Sequence, residues 1–354
     1  MDKLLSIVIP TYNAEKFLDK GLSTFILDDE DKMNKLEVLI VNDGTPDNSV
    51  AVAQKFVDKY PDTFKIINKE NGGHGSAINE GVKHVTAKFF KCVDADDWVI
   101  TKNLEKLMDA LEKSDADVVL SSYVDYDIST KKYTKRDIVN RDPNKDRIYT
   151  LKEIMDIWPD IFNGVQYHGI LYKTDFYTSQ NYELSEGIFY EDQEYATMPA
   201  CMAKTVQLVE EEVYVYRVGD VNQSIAAENQ LKRLPHFHQV IDSMLRYEEK
   251  LAQCPDPEGA KLFWAKKTSM FIGSYYQVAL IKSPDKKKYR RVVEQTNNKI
   301  QAKSPYMYGC VKNKYKVFTL FNKMHMSDEF YNSKFSKFLF DIKRIWKLDK
   351  KVYY

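Results

Sequence analysis

The apolar positions of this chain fall into short runs that alternate with stretches of helical spacing. Leu4 to Pro10, Leu36 to Val41, Phe64 to Ile67, Lys88 to Val93 and Asp117 to Ser122 are apolar runs bounded by polar or glycine-bearing turns. They predict five buried strands. Between them apolar residues recur three and four apart, as in Phe17, Leu18, Leu22 and Phe25. That spacing predicts helices over Ala14 to about Leu27, Asp47 to Lys59, Ala77 to His84 and Asn103 to Glu112. Such alternation specifies an α/β fold with a doubly wound, mostly parallel sheet and right-handed crossovers. Ligands of such sheets bind at the C-terminal ends of the strands.

Further on the pattern loosens. Residues 124 to 150 read as a polar hairpin and loop, and Leu151 to Trp158 as a short helix. Gln166 to Tyr172 reads as a strand, Asp192 to about Ala203 as a helix, and Val206 to Val209 and Val213 to Tyr216 as two strands. From Gln230 the chain turns helical, over about 231 to 252, 258 to 281 and 286 to 302, with breaks at Pro255, Pro257 and Ser283-Pro284. The expected division is a catalytic domain over 1–228, with halves 1–124 and 125–228, followed by a mainly helical C-terminal domain over 229–354.

The turns carry the chemistry. Tyr12-Asn13, Asn42-Asp43-Gly44 and Asp94-Ala95-Asp96 each follow a strand and would converge on one edge of the sheet. Asp94 and Asp96 share a side if strand geometry persists through Ala95, and paired acids suit a hard divalent cation that also binds a phosphate. The same acids would serve a surface turn, with Asp97 or Thr101 near a helix N-cap. Gly72, Gly73 and Gly75 allow close backbone approach to a ligand at a helix start, or simply a tight strand-to-helix turn. Glu191-Asp192 stands at a helix start, where acids also serve as caps.

The ordered set Ser6-Ile7-Val8-Ile9-Pro10-Thr11-Tyr12-Asn13, Val41-Asn42-Asp43-Gly44-Thr45, Asn71-Gly72-Gly73-His74-Gly75-Ser76 and Val93-Asp94-Ala95-Asp96-Asp97-Trp98 resembles the family 2 glycosyltransferases. Glu191-Asp192 fits the same pattern, and the resemblance covers about residues 4 to 225. It implies the GT-A fold and inverting transfer of one hexosyl or N-acetylhexosaminyl unit from a UDP-sugar to a hydroxyl of a cell-surface glycan precursor. Pro10, Thr11, Tyr12 and Asn13 would wall the nucleobase, and Asp43 would accept its imide N–H. Gly72, Gly73, His74, Asn79, Asp94, Ala95 and Arg217 would complete the donor site. Asp96, with Asp94, would hold Mn²⁺ or Mg²⁺ across the diphosphate; Asp192 would be the base, with Glu191 orienting it or the acceptor. Asn42 stands where many relatives have a first Asp, and Tyr167, His168 and Ile170 stand where a Trp and a basic residue often flank Gly169. No Q-x-x-R-W follows, which favours single-sugar addition. The competing reading is a sugar-nucleotide-binding or scaffold protein with this fold and no turnover. A nucleotidyltransferase would need a G-x-G-T/S-R-like loop after the first strand, where this chain has Pro10-Thr11-Tyr12-Asn13.

Composition refines the list of partners. With 44% apolar and 29% charged residues, the 354-residue chain can bury a large core. Cys92, Cys201, Cys254 and Cys310 have no metal-ligand spacing and read as reduced thiols. No secretory leader and no spanning segment is read from the sequence, so a cytoplasmic protein is expected. The overall charge of zero conceals an asymmetry: from Pro284 onward there are 18 Lys and Arg against 6 Asp and Glu. Within that end Phe335, Phe338, Leu339, Ile342, Ile345 and Trp346 form a stripe flanked by Lys334, Lys337, Lys343, Arg344 and Lys347. This stripe would lie on an anionic leaflet at the inner face of the cell membrane, or pack on its own domain or a second subunit. The acceptor would be a glycan, lipid-linked glycan or glycoprotein. Nucleic acid is not an expected partner, and a homo-oligomer is left open.

Overall fold

The computed structural model describes residues 2–220 and 227–331. Leu5–Thr11 (β1), buried at every position, pairs in parallel with Leu36–Asp43 (β2), which pairs in parallel with Phe64–Lys69 (β3). Phe89–Cys92 (β4) adds in parallel on the other side of β1. The crossovers are helices: Glu15–Ser23 (α1) with Glu30–Lys35 (α2), then Ser49–Lys59 (α3), then His74–Lys83 (α4). Each turn named above therefore leaves its strand at the same end of the sheet.

Beyond β4 come Trp98–Val99 (β5), the helix Thr101–Glu112 (α5), Val118–Asp127 (β6), Lys132–Arg136 (β7), Ile148–Tyr149 (β8), Ile170–Lys173 (β9) and Val206–Val218 (β10). The sheet order is β3-β2-β1-β4-β9-β6-β10-β5, with β7 on β6 and β8 on β10. Strand β9 runs antiparallel between β4 and β6, while β6 and β10 are parallel. The strand expected from Gln166 starts only at Ile170, because the Gly169 and Ile170 N–H groups turn back onto the Gln166 carbonyl. A Cβ at Gly169 would lie 2.6 Å from the Gly164 carbonyl oxygen, so only glycine passes there. The two strands expected at 206–216 are one, and register shifts at Val209/Glu212 and Glu212/Tyr214 absorb the acidic run as a bulge. The helix expected from Asp192 to Ala203 is two short pieces, Asp192–Tyr195 and Met198–Cys201, separated at Thr197 (φ −125°) just before Pro199.

The chain divides into two compact units. The first contains the sheet, to Asp220, together with Ala252–Ala260, where Asp256 accepts the Lys152 N–H at 2.9 Å. Among the described residues the second runs over 227–251 and 261–331. Its helices include Leu234–Tyr247, Lys286–Lys303 and Pro305–Lys323, and the long helix Pro257–Tyr276 continues as a π-helical turn to Lys282. Among the described residues no helix is long and apolar enough to cross a membrane. The four cysteines are free thiols. The basic stripe from Lys334 lies outside the described residues.

Candidate active site

At the C-terminal end of β1, Pro10 and Thr11 are buried and Tyr12 is half exposed. Asn13 takes the left-handed region (φ 52°), and its N–H donates to Thr45 Oγ1 at 2.9 Å. The β1 and β2 turns are thereby tied together. Asp43, at the tip of β2, is 2% exposed. One of its oxygens accepts from Lys69 Nζ and Gly72 N–H, both at 2.9 Å, and the other from Gly73 N–H at 2.8 Å. Asp43 thus shapes the glycine turn directly. Gly73 (φ 89°) sits where a side chain would be strained.

The acids after β4 lie in unlike environments. Asp94 Oδ1 accepts from the Tyr167 hydroxyl at 2.9 Å and meets His74 Nε2 at 3.0 Å. Asp96 is more open and lies 3.6 Å from the Arg217 guanidinium. Burial and the neighbouring Asp94 push its carboxyl up to about 6. Asp97 is buried beneath them; it accepts from the Tyr214 hydroxyl and, at 2.7 Å, from the Arg217 N–H. It caps no helix: α5 follows Ile100, which makes no side-chain cap bond. Arg217 also donates to Asp220 at 2.7 Å and stacks 4.5 Å from the Phe17 ring.

Glu191 is 3% exposed, and its Oε1 lies 2.6 Å from His74 Nδ1. Glu191 stands at the N-cap of the helix from Asp192 but makes no side-chain cap bond there. One imidazole therefore spans the acid pair after β4 and the acid pair after β9. Burial opposes charge on His74, but Asp94 and Glu191 outweigh it and raise the imidazole well above its usual range. Burial and the charge of Glu191 push Asp192 up to about 6. The preceding Tyr190 adopts φ 75°, an uncommon conformation for a bulky side chain that aims the acid pair. Gly75 makes room for it: a Cβ there would meet Glu191 Cγ at 2.9 Å and the Ser185 carbonyl oxygen at 2.4 Å.

Residues 6–178 match the family model described as Glycosyl transferase family 2. The chain belongs to that family. It is 26% identical over 260 residues to the uncharacterized glycosyltransferase EpsJ of Bacillus subtilis, covering 71% of this chain and 70% of that one. It is 31% identical over 130 residues to the glycosyltransferase GlyG of Streptococcus pneumoniae, covering 36% and 42%. The minor teichoic acid biosynthesis protein GgaB of B. subtilis matches at 28% over 116 residues, 32% of this chain and 13% of GgaB. Among solved structures, S. aureus TarS 1-349 in complex with UDP superposes with a TM-score of 0.58 at 15% identity, covering 91% of each chain. The same fragment in complex with UDP-GlcNAc gives 0.52, also at 15% identity, covering 91% of this chain and 92% of that one. The fold of this glycosyltransferase is accordingly GT-A with a helical C-terminal extension.

The carboxylate oxygens of Asp94 and Asp96, partly open and mutually repelling, suit a hard divalent cation of the kind this fold commonly uses. A second set shares Asp94 but leaves out Asp96. Ligand atoms of Asp94, Asp97 and His168 lie within 4.8 Å of one another. Burial drives His168 down to about 4, which keeps it neutral, and its ring stacks 4.0 Å from that of Tyr216. Asn79, expected at the donor, faces elsewhere: its amide exchanges bonds with the Leu184 backbone and donates to Glu186. Sequence reasoning gave no role to Lys91, which supports the site from below. Lys91 is fully buried and donates to the His168 carbonyl at 2.7 Å. Its signal was visible as a lone lysine between Phe90 and Cys92 in a buried strand.

Proposed function

We propose that this glycosyltransferase moves one sugar, with inversion, from a UDP-sugar to a hydroxyl of a cell-surface glycan precursor. The observation that carries the reading is the His74 bridge, which brings Asp94 and Glu191-Asp192 to one imidazole. Asp96 and Asp94 would hold Mn²⁺ or Mg²⁺; the nitrogen of His168 lies near Asp94 and Asp97. Bound there, the cation supplies charge stabilisation to the departing diphosphate. Pro10, Thr11, Tyr12 and Asn13 face the nucleobase, and Asp43 takes its imide N–H in addition to holding the glycine turn. Arg217 draws the leaving phosphates toward Asp96.

Asp192 takes the proton of the acceptor hydroxyl. A base near 6 is ionised at neutral pH yet still basic enough to share that proton in the transition state. Glu191, fixed by His74, sets its direction. The acceptor is a glycan, lipid-linked glycan or glycoprotein. The likeness to a teichoic acid biosynthesis protein supports an anionic surface polymer among these. A thermal-shift screen of nucleotide sugars with and without Mn²⁺ tests the reading: a UDP-sugar raises the melting temperature only with metal. Indifference to every donor would leave a scaffold with this fold.

A further inference from the structure

The helix Pro305–Lys323 keeps one face in solvent along its length. Lys312, Lys316, Leu320 and Lys323 are exposed at spacings of three and four residues, and Gly309 adds a bare stretch where a Cβ would meet nothing within 4 Å. The opposite face is core, with Met307, Val311, Phe318 and Asn322 buried. Toward its C-terminal end the exposed face turns apolar: Leu320 is 53% exposed and Met324 59%. The short helix Asp328–Tyr331 packs back here, with the Tyr331 ring 5.5 Å from that of Phe318 and Phe330 38% exposed. Large apolar side chains gathered in water on one surface mark an interaction site.

The charge on this face narrows what meets it. Pro305 to Tyr331 carries four Lys and, as acids, only Asp328 and Glu329. Asp328 acts on Lys286 of a preceding helix. On the same compact unit Asp242 takes both Lys299 and Lys303, whereas among the described residues no carboxylate pairs with Lys312, Lys316 or Lys323. The sequence beyond Tyr331 adds seven Lys and Arg against two Asp, so it repeats this charge instead of complementing it. A second copy of the face would meet it with the same sign. An anionic layer with an apolar interior complements both halves of the pattern, with acidic headgroups for the ammonium groups and acyl chains for Leu320, Met324 and Phe330.

We propose that the exposed face of Pro305–Lys323, together with Phe330, docks on an anionic phospholipid bilayer. The lysine stems lie along the headgroup layer with their ammonium groups on phosphate, while Leu320, Met324 and Phe330 enter the acyl boundary. Each lysine contributes little alone, so the attachment is reversible and weakens in salt. The surface stands apart from the sugar-transfer reading, since it needs neither donor nor metal.

Flotation of the full chain tests this with vesicles of phosphatidylcholine alone and of an equal mixture with phosphatidylglycerol. The proteins are wild type, Lys312→Gln/Lys316→Gln/Lys323→Gln, the matching Arg triple, and Leu320→Gln/Met324→Gln, with melting temperatures as the check on folding. Wild type is expected to float with the anionic vesicles, stay behind with the neutral ones, and come off in high salt. The Gln triple and the Leu320→Gln/Met324→Gln pair should each bind anionic vesicles about tenfold or more weakly, and the Arg triple within about threefold of wild type. Equal flotation of wild type and both Gln variants would overturn the proposal, because the face would then contribute nothing. So would a wild type that ignores anionic vesicles, or one that binds neutral vesicles equally well. A wild-type dimer in sedimentation that the Leu320→Gln/Met324→Gln pair converts to monomer, without vesicle binding, would assign the face to a second copy instead.

Discussion

His74 Nδ1 lies 2.6 Å from Glu191 Oε1, across 117 residues of sequence, and the opposite ring nitrogen lies 3.0 Å from Asp94. Glu191 Oε2 is buried with no partner, so His74 is what compensates this carboxylate. Replacing it by Gln strands a buried charge, and a loss of about 2–3 kcal/mol follows. The pH dependence has a definite sign. A raised imidazole stabilises the fold fully below about 6.5 and loses that contribution as pH climbs through the raised value. Urea midpoints of wild type and His74→Gln should therefore differ most at pH 6 and converge in alkali; a constant gap would show that charge is not the reason.

Asp192 carries a cost that its proposed role as base would require. Its carboxyl, at about 6 when folded, keeps its proton longer than the unfolded value of about 3.9 allows. Ionisation therefore weakens the fold as pH rises between those two values. Asp192→Asn should melt higher than wild type at pH 7.5, match it below pH 4, and have no measurable transfer. In wild type, kcat should rise with pH through a limb near 6. Transfer that is flat between pH 5 and 7.5 would remove Asp192 as the base.

Asp43 binds four partners of its own chain: Lys69, Gly72 and Gly73 through the carboxylate, and Asn71 through its carbonyl. Asp43→Ala leaves Lys69 and two backbone donors without the carboxylate, at a cost of about 3 kcal/mol. Because the same turn leads into His74, UDP affinity should fall as well. Differential scanning calorimetry with a UDP titration reads both, and an unchanged melting temperature would mean that the turn holds itself.

The first four strands and their turns were legible because each is local: a run of buried residues, a polar tip, a helical stripe. Asp94, Asp96, Asp43 and Asp192 were legible as residue types at fixed places in that order. What escaped was non-local. Antiparallel β9 slips between β4 and β6, and nothing in Ile170–Lys173 announces its neighbours. The amide of Asn79 was free to be assigned to the donor until the fold brought Leu184 to it, 105 residues away. Tyr214 reads as one aromatic in an alternating strand, yet its hydroxyl accepts the Asp94 N–H at 3.1 Å and donates to Asp97.

Lys91 offers a test of the support beneath the acids. Burial lowers it to about 7, far below its unfolded value of about 10.4. Between these values the unfolded chain binds the extra proton, so this group makes stability rise with pH. Over pH 7 to 9.5 the wild type should gain stability relative to Lys91→Met, which lacks the titrating group. Parallel pH profiles for the two proteins would contradict a buried, readily deprotonated Lys91.

In the proposed mechanism Asp96 would grip the donor through the cation and Asp192 would take the proton. UDP-sugar affinity with and without Mn²⁺, measured alongside transfer for Asp96→Ala and Asp192→Ala, tests it most directly. Asp96→Ala should lose metal-dependent donor binding, whereas Asp192→Ala should bind donor as wild type does and transfer nothing. Equal loss of donor binding in both variants would rule out separate roles for Asp96 and Asp192.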